Sequence, residues 1–225
     1  MEKNRNKEFF LKKLYHLFFS ERFSKRINYS FDKKTRLDLI QLIIKKNEYK
    51  KYLEIGCNQD EVFNKIDIDK IGVDPISGGN FRGTSDEFFL RNSECFDCIF
   101  IDGLHEYDQV YKDIINSLKF LNEGGIILLH DCLPPSIHQQ AVPRYKKTWN
   151  GDVWKAIVNI RTNANYDTVT CCIDHGISII RKQKNIDRLN LNIDNFKNLK
   201  FKDFYYNYKK YMRLVDYKNI FNYLK

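Results

Sequence analysis

Residues 96–131 read FDCIFIDGLHEYDQVYKDIINSLKFLNEGGIILLHD, and this stretch decides the fold. FDCIFID (96–102) is an almost unbroken apolar run, as a strand covered on both faces requires. YDQVYKDIINSLKFL (107–121) places apolar residues three and four apart, which predicts an amphipathic helix. GGIILLHD (124–131) is a second buried strand. Two such strands joined by a helix form a right-handed crossover, and hence a parallel sheet with helices on its faces.

The same alternation continues outward. RLDLIQLIIKK (36–46) has helical spacing and leads into KYLEIGC (51–57), the first strand. KIGVDP (70–75) is a second strand closed by Pro75, and Phe81 to Thr84 form a short third one before a helix through Asp86 to Leu90. Beyond Pro134 and Pro135 an irregular stretch precedes a helix in WNGDVWKAIVNI (149–160), for which Asp152 is the expected N-cap. DTVTCCID (167–174) and GISIIR (176–181) are two further strands turning at His175-Gly176, which suggests a hairpin at one sheet edge. The expected organisation is an N-terminal helical segment over 1–48, an α/β domain over 49–182 and a helical, basic, aromatic tail over 183–225.

With 43% hydrophobic and 30% charged residues the chain has a globular balance rather than a disordered or membrane-embedded one. Charges interrupt every apolar stretch of MEKNRNKEFFLKKLYHLFF, so neither a signal peptide nor a membrane span is expected and the chain is read as cytoplasmic. Cysteines at 57, 95, 98, 132, 171 and 172 are expected as reduced thiols, since the CxxC of Cys95 and Cys98 has no second pair at zinc-site spacing. Net charge is +8 over residues 1–50, −7 over 51–180 and +8 over 181–225, so an anionic partner would meet the flanks rather than the core.

Open parallel sheets bind ligands beyond the carboxyl ends of their strands. After the first strand stand Glu54, Gly56, Cys57 and Asn58, where glycine permits close backbone approach and Glu54 suits a ligand ammonium group. Asp74 ends the second strand and suits a pair of ribose hydroxyls. The phosphate-cradling GxGxxG is absent, which disfavours a dinucleotide and leaves a phosphate-free nucleoside cofactor.

YLEIGCNQDEVFNKI, IGVDP, TSDEFF, FDCIFIDGLHEYDQVYKDIINSLKFLNEGGIILLHDCLPPS and WNGDVWKAIV, in this order, resemble the class I methyltransferases of the family 24 type, often associated with surface-polysaccharide biosynthesis. The resemblance covers roughly residues 36–180. It implies a Rossmann-like sheet of seven mostly parallel strands with helices on both faces, with the seventh strand antiparallel beside the sixth. It also implies S-adenosylmethionine as cofactor. By the same resemblance Glu54 and Gly56, with Cys57 and Asn58, belong to the methionine and ribose side of the cofactor site. Asp74 holds the ribose, Ser85 and Asp86 lie near the adenine, and Asp102, His105 and Asp131 face the reaction centre. One position departs from the pattern: Asp60 stands where a second glycine is expected.

An alcohol acceptor must lose a proton, so a base or a cation is needed. His105 is the preferred base and His130 the second, with capping and core roles as their respective alternatives. Asp102 and Asp131 offer oxygen ligands for Mg²⁺, the alternative being that they orient the acceptor or cap helices. An asparagine that usually follows the second aspartate in metal-dependent relatives is here Cys132. His138, Arg144, Trp149 and Trp154 are candidates for the acceptor wall, against surface or packing roles. The leading expectation is O-methylation of a sugar, nucleotide-linked sugar or phosphorylated precursor of a cell-surface polysaccharide such as a capsule, with an anionic acceptor and a homodimer as expected partners. An N-methyltransferase acting on nucleic acid or a small molecule is the alternative, together with a non-catalytic partner subunit. Pro134-Pro135 lacks the preceding strand four and the following aromatic of the amino-methyltransferase motif. The tail's 10 aromatics among 33 are read as packing rather than base-stacking groups.

Overall fold

The computed structural model describes residues 2–224, and for residues 2–6 the backbone alone. The strands are β1 (Lys51–Ile55), β2 (Asp69–Asp74), β3 (Phe81–Arg82), β4 (Phe96–Ile101), β5 (Leu121–Leu129), β6 (Tyr166–Cys171), β7 (Ile177–Lys182) and β8 (Leu214–Val215). They form one sheet in the order β3-β2-β1-β4-β5-β7-β6-β8. β7 runs antiparallel to both β5 and β6, and the other pairings are parallel. This is the class I methyltransferase arrangement that the sequence predicts, with one correction. The sheet has eight strands rather than seven, because Leu214 and Val215 of the tail pair with Thr170 and Cys171. The β6–β7 hairpin is therefore flanked by β8 and does not form the edge.

The helices are α1 (Glu2–Phe19), α2 (Arg36–Asn47), α3 (Ser85–Arg91), α4 (Tyr107–Lys119), α5 (Val153–Ile160), α6 (Phe201–Met212) and α7 (Ile220–Tyr223). α2 starts at a capping box in which Thr35 and Asp38 satisfy each other's backbone N–H groups. Its Leu39, Ile40 and Ile43 cover one sheet face together with Phe63, Ile220 and Leu224. The opposite face is covered by Phe88 and Phe89 of α3, Val110, Ile114 and Leu118 of α4, Trp154 of α5 and Phe204 of α6. Three of the tail aromatics, Phe201, Phe204 and Tyr211, are thus core residues.

α4 ends two residues before the predicted boundary because β5 begins early. Leu121 already pairs with Phe96, the next pairing is Cys98 with Ile126, and the residues between them bulge.

Candidate active site

An open cavity of about 790 Å³ lies beyond the carboxyl ends of β1, β2, β4 and β5. Every sequence-predicted cofactor residue lines it: Glu54, Gly56, Cys57, Asn58, Asp74, Ser85, Asp86 and Asp102. His105, His130, Asp131, Arg144 and Trp149 line it too. Two candidates lie elsewhere. Trp154 is wholly buried in the core, 4.6 Å from the Phe204 ring, with its indole N–H donated to Gln140 Oε1. It is a packing residue and not a wall of the cavity, since its position on the inner face of α5 leaves no surface for a ligand. His138 is hydrogen-bonded to the Tyr145 hydroxyl and stands outside the cavity wall.

The cavity is shaped by contact between the loops after β1 and β4. Gly56 has φ +89°, and a Cβ there would lie 2.3 Å from the Asp102 carbonyl oxygen. Only glycine permits this approach. The Gly56 N–H donates to Val73 and the Asp102 N–H to Ile55, so three strand ends are held together. Asp74 accepts from the backbone N–H groups of Asn58, Ile76 and Ser77 at 2.8 to 2.9 Å. Burial would raise its pKa, but these three donors outweigh it and hold the carboxylate below its ordinary value. Asp60 takes a left-handed φ of 61° and accepts from the Gly79 N–H at 2.7 Å. The departure from glycine at this position therefore ties the β1 loop to the β2 loop.

Glu54 is buried at the cavity floor, where it accepts a 2.7 Å hydrogen bond from the Tyr52 hydroxyl. Burial raises its pKa to about 7. At the other end Gln109 of α4 donates to Ser85 and to the buried carboxylate of Asp113, whose pKa burial raises to about 6. Thr84 and Glu87 form the capping box that starts α3 and sets Ser85 and Asp86 at the rim.

The wall of the cavity beyond β4 and β5 is a charged cluster. Asp102 Oδ1 lies 3.1 Å from both His105 Nε2 and His130 Nδ1. Asp131, at φ 60°, has Oδ2 at 3.2 Å from His105 Nδ1 and 3.4 Å from His130 Nδ1, while Oδ1 accepts from Asn150 at 2.7 Å. Asp174, at the β6–β7 turn, lies 3.4 Å from His130 Nε2 and pairs with Arg36 at 3.2 Å. Burial disfavours the imidazolium forms, yet the surrounding carboxylates outweigh it and raise both histidine pKa values. Burial would likewise raise Asp102, but His130 and His105 hold it well below the usual carboxylate range. His105 is held from two further directions. Its ring stacks on Trp149 at 5.3 Å with 22° between planes, and its carbonyl accepts from the Asp152 N–H.

Asp152 occupies the N-cap position of α5, as predicted, but its side chain caps no N–H of that helix and pairs with Lys155 at 3.1 Å. It accepts instead from the Tyr107 N–H at 2.7 Å, so it caps α4 and fixes the His105 loop. Arg36, Gln109, Asp113, Asn150 and Asp174 were not singled out by sequence reasoning. Gln109 and Asp113 stand four apart on one helix face, a visible signal, whereas Arg36 and Asp174 reach the site through tertiary contacts that no local pattern announces.

Asp102, His105 and Asp131 each bring one ligand atom to within 4.8 Å of the others, a donor set that a divalent cation accepts. The side-chain amide oxygen of Asn150, beside Asp131, is buried without a hydrogen-bond partner and keeps its lone pairs unused.

Residues 46–132 match a family described as a methyltransferase domain. No curated protein sequence matches the chain. Among solved structures, the chain is similar to a Staphylococcus aureus protein assigned as a caffeoyl-CoA O-methyltransferase, with TM-score 0.51, 19% identity, and coverage of 68% of this chain and 86% of that one. A Klebsiella pneumoniae protein assigned as an O-methyltransferase has TM-score 0.51 at 12% identity, covering 80% and 90%. Cofactor-bound Rv0187 from MTB has TM-score 0.51 at 9% identity, covering 81% and 91%. At these identities the likeness is one of fold.

Proposed function

We propose that this S-adenosylmethionine-dependent methyltransferase transfers its methyl group to a hydroxyl of a sugar, a nucleotide-linked sugar or a related phosphorylated precursor of a cell-surface polysaccharide. The observation that carries the oxygen-acceptor reading is the pairing of His105 with Asp102 at the mouth of the cofactor cavity, beside Trp149 and Arg144. Asp74 would hold the ribose, Glu54 the methionine ammonium, and Ser85, Asp86 and Gln109 the adenine, which would leave Asp102 and His105 on the side of the transferred methyl group.

Transfer is an in-line displacement. The acceptor oxygen bonds to the methyl carbon as the carbon–sulfur bond breaks, its electron pair staying on sulfur. The acceptor proton goes to His105. Its Nε2 lies 3.1 Å from Asp102 Oδ1, and its Nδ1 is buried and faces Asp131. Asp131, 3.2 Å away, stabilises the imidazolium so formed. Asp102, Asp131 and His105 are also the residues that would hold Mg²⁺, which would supply Lewis acidity toward the acceptor hydroxyl. Trp149 lines the acceptor side with its ring stacked on His105, and Arg144, whose guanidinium lies 5.4 Å over that ring, suits an anionic substituent.

The test is transfer of a radiolabelled methyl group from S-adenosylmethionine to a panel of nucleotide sugars, with Mg²⁺ and after chelation. Labelled sugar product supports the proposal. Label appearing in RNA or in amine acceptors but in no sugar overturns it.

A further inference from the structure

We infer that α1 is an interfacial anchor that docks the enzyme onto an anionic lipid surface. α1 meets the body of the protein along one stripe only: Phe9, Lys12, His16 and Ser20 are half-buried, while the positions between them are exposed. His16 fixes the contact, with Nε2 at 2.8 Å from the Pro143 carbonyl oxygen and its ring 4.8 Å from Tyr145. The other side is apolar. Phe10, Leu11, Leu17, Phe18 and Phe19 each leave more than half of their surface exposed. At roughly 100° per residue, the run Leu17, Phe10, Leu14, Phe18, Leu11, Tyr15 fills a continuous arc of about 160°. A monomeric soluble surface rarely shows so large an apolar face without an occupant.

Charge identifies the occupant. Lys13 borders one edge of the arc and Lys7 stands at its N-terminal end, both exposed, while at the other edge Lys12 is half-buried and paired with Glu8. The cationic character continues into the loop that α1 touches: burial lowers the pKa of His138, and Lys146, His16 and Lys13 lower it further. An exposed apolar arc with unburied lysines at one edge and one end is the pattern of a helix lying in the plane of an anionic lipid interface. A second copy is the competing occupant, and sedimentation of the protein without vesicles distinguishes it from a lipid surface. Among the described residues no helix is long and apolar enough to cross a membrane, so the attachment is to the surface. Since Arg144, in the loop touched by α1, also lines the cavity, the docked helix would lie beside the cavity wall. The inference does not depend on which acceptor is methylated.

The test is co-sedimentation of the full-length protein with vesicles of phosphatidylcholine containing about 30% phosphatidylglycerol, and with phosphatidylcholine alone, at low and high salt. Binding to the anionic vesicles is expected to exceed that to neutral ones at least tenfold, to weaken with salt, and to fall at least tenfold in the double variant Leu14→Asp, Phe18→Asp. Titration with S-adenosylhomocysteine should be unchanged in that variant, which separates lost docking from lost folding. Absent or lipid-indifferent binding overturns the inference. So does a concentration-dependent dimer in analytical ultracentrifugation that the double variant abolishes while vesicles leave the protein in solution.

Discussion

The proposed contact of Glu54 with the cofactor ammonium can be measured as proton release. Its pKa stands at about 7 because it is buried at the cavity floor with one hydroxyl partner, Tyr52. A ligand ammonium placed against it favours the carboxylate, so binding expels the proton that the free enzyme holds there. From a pKa of about 7, the protonated fraction in the free enzyme is about 0.75 at pH 6.5 and about 0.1 at pH 8. S-adenosylhomocysteine, which keeps the ammonium, should therefore release roughly 0.7 proton at pH 6.5 and almost none at pH 8. Titration calorimetry in two buffers of different ionisation enthalpy reads this number directly, and Glu54→Gln should abolish it. The same shift acts on stability. A carboxyl whose folded pKa is raised stabilises the fold at acid pH, and that contribution is lost as pH rises from its ordinary 4.5 through about 7. The loss is on the order of 3 kcal/mol for the free enzyme. Proton uptake on binding, or no buffer dependence at pH 6.5, would refute the placement of the ammonium on Glu54.

Five substitutions test the charged cluster and the core. His105→Ala should leave S-adenosylhomocysteine affinity intact and slow turnover about a hundredfold or more, and Asp102→Asn should slow turnover and move the rising limb of the pH–rate profile to lower pH, because it removes a charge that raises the histidine pKa; steady-state kinetics across pH check both. Gly151→Ala would put a Cβ 1.7 Å from the His105 carbonyl at a φ of 64°, so thermal denaturation should show a loss of at least about 1–2 kcal/mol, and the remaining folded enzyme should lose kcat more than KM. Trp154→Ala should cost about 3–5 kcal/mol in urea unfolding, as a wholly buried side chain does, whereas Trp149→Ala should keep most of the stability and lose turnover.

The strands and helices that carry the site were legible because each is written in a local period. FDCIFID is apolar throughout and α4 is apolar every third or fourth residue, so the crossover between them and the residues at its ends could be placed without coordinates. β8 was not legible: two residues between helices carry no period, and they become a strand only because Thr170 and Cys171 offer an edge. Asp152 was placed at the start of α5, but which helix its carboxylate serves depends on where Tyr107 comes to rest. Trp154 looked like Trp149 in sequence. Five residues apart on either side of a turn, one faces the cavity and the other the core, and only the direction of α5 decides between them. The pairing of His130 with Asp174 joins two hairpin-distant segments, and its signal lies in the sheet order rather than in spacing.

The most direct test of the account is a crystal structure with S-adenosylhomocysteine bound. The account expects the ribose hydroxyls on Asp74, the ammonium on Glu54 and the sulfur facing Asp102 and His105. A ligand seated elsewhere, or with its sulfur turned away from His105, would contradict it.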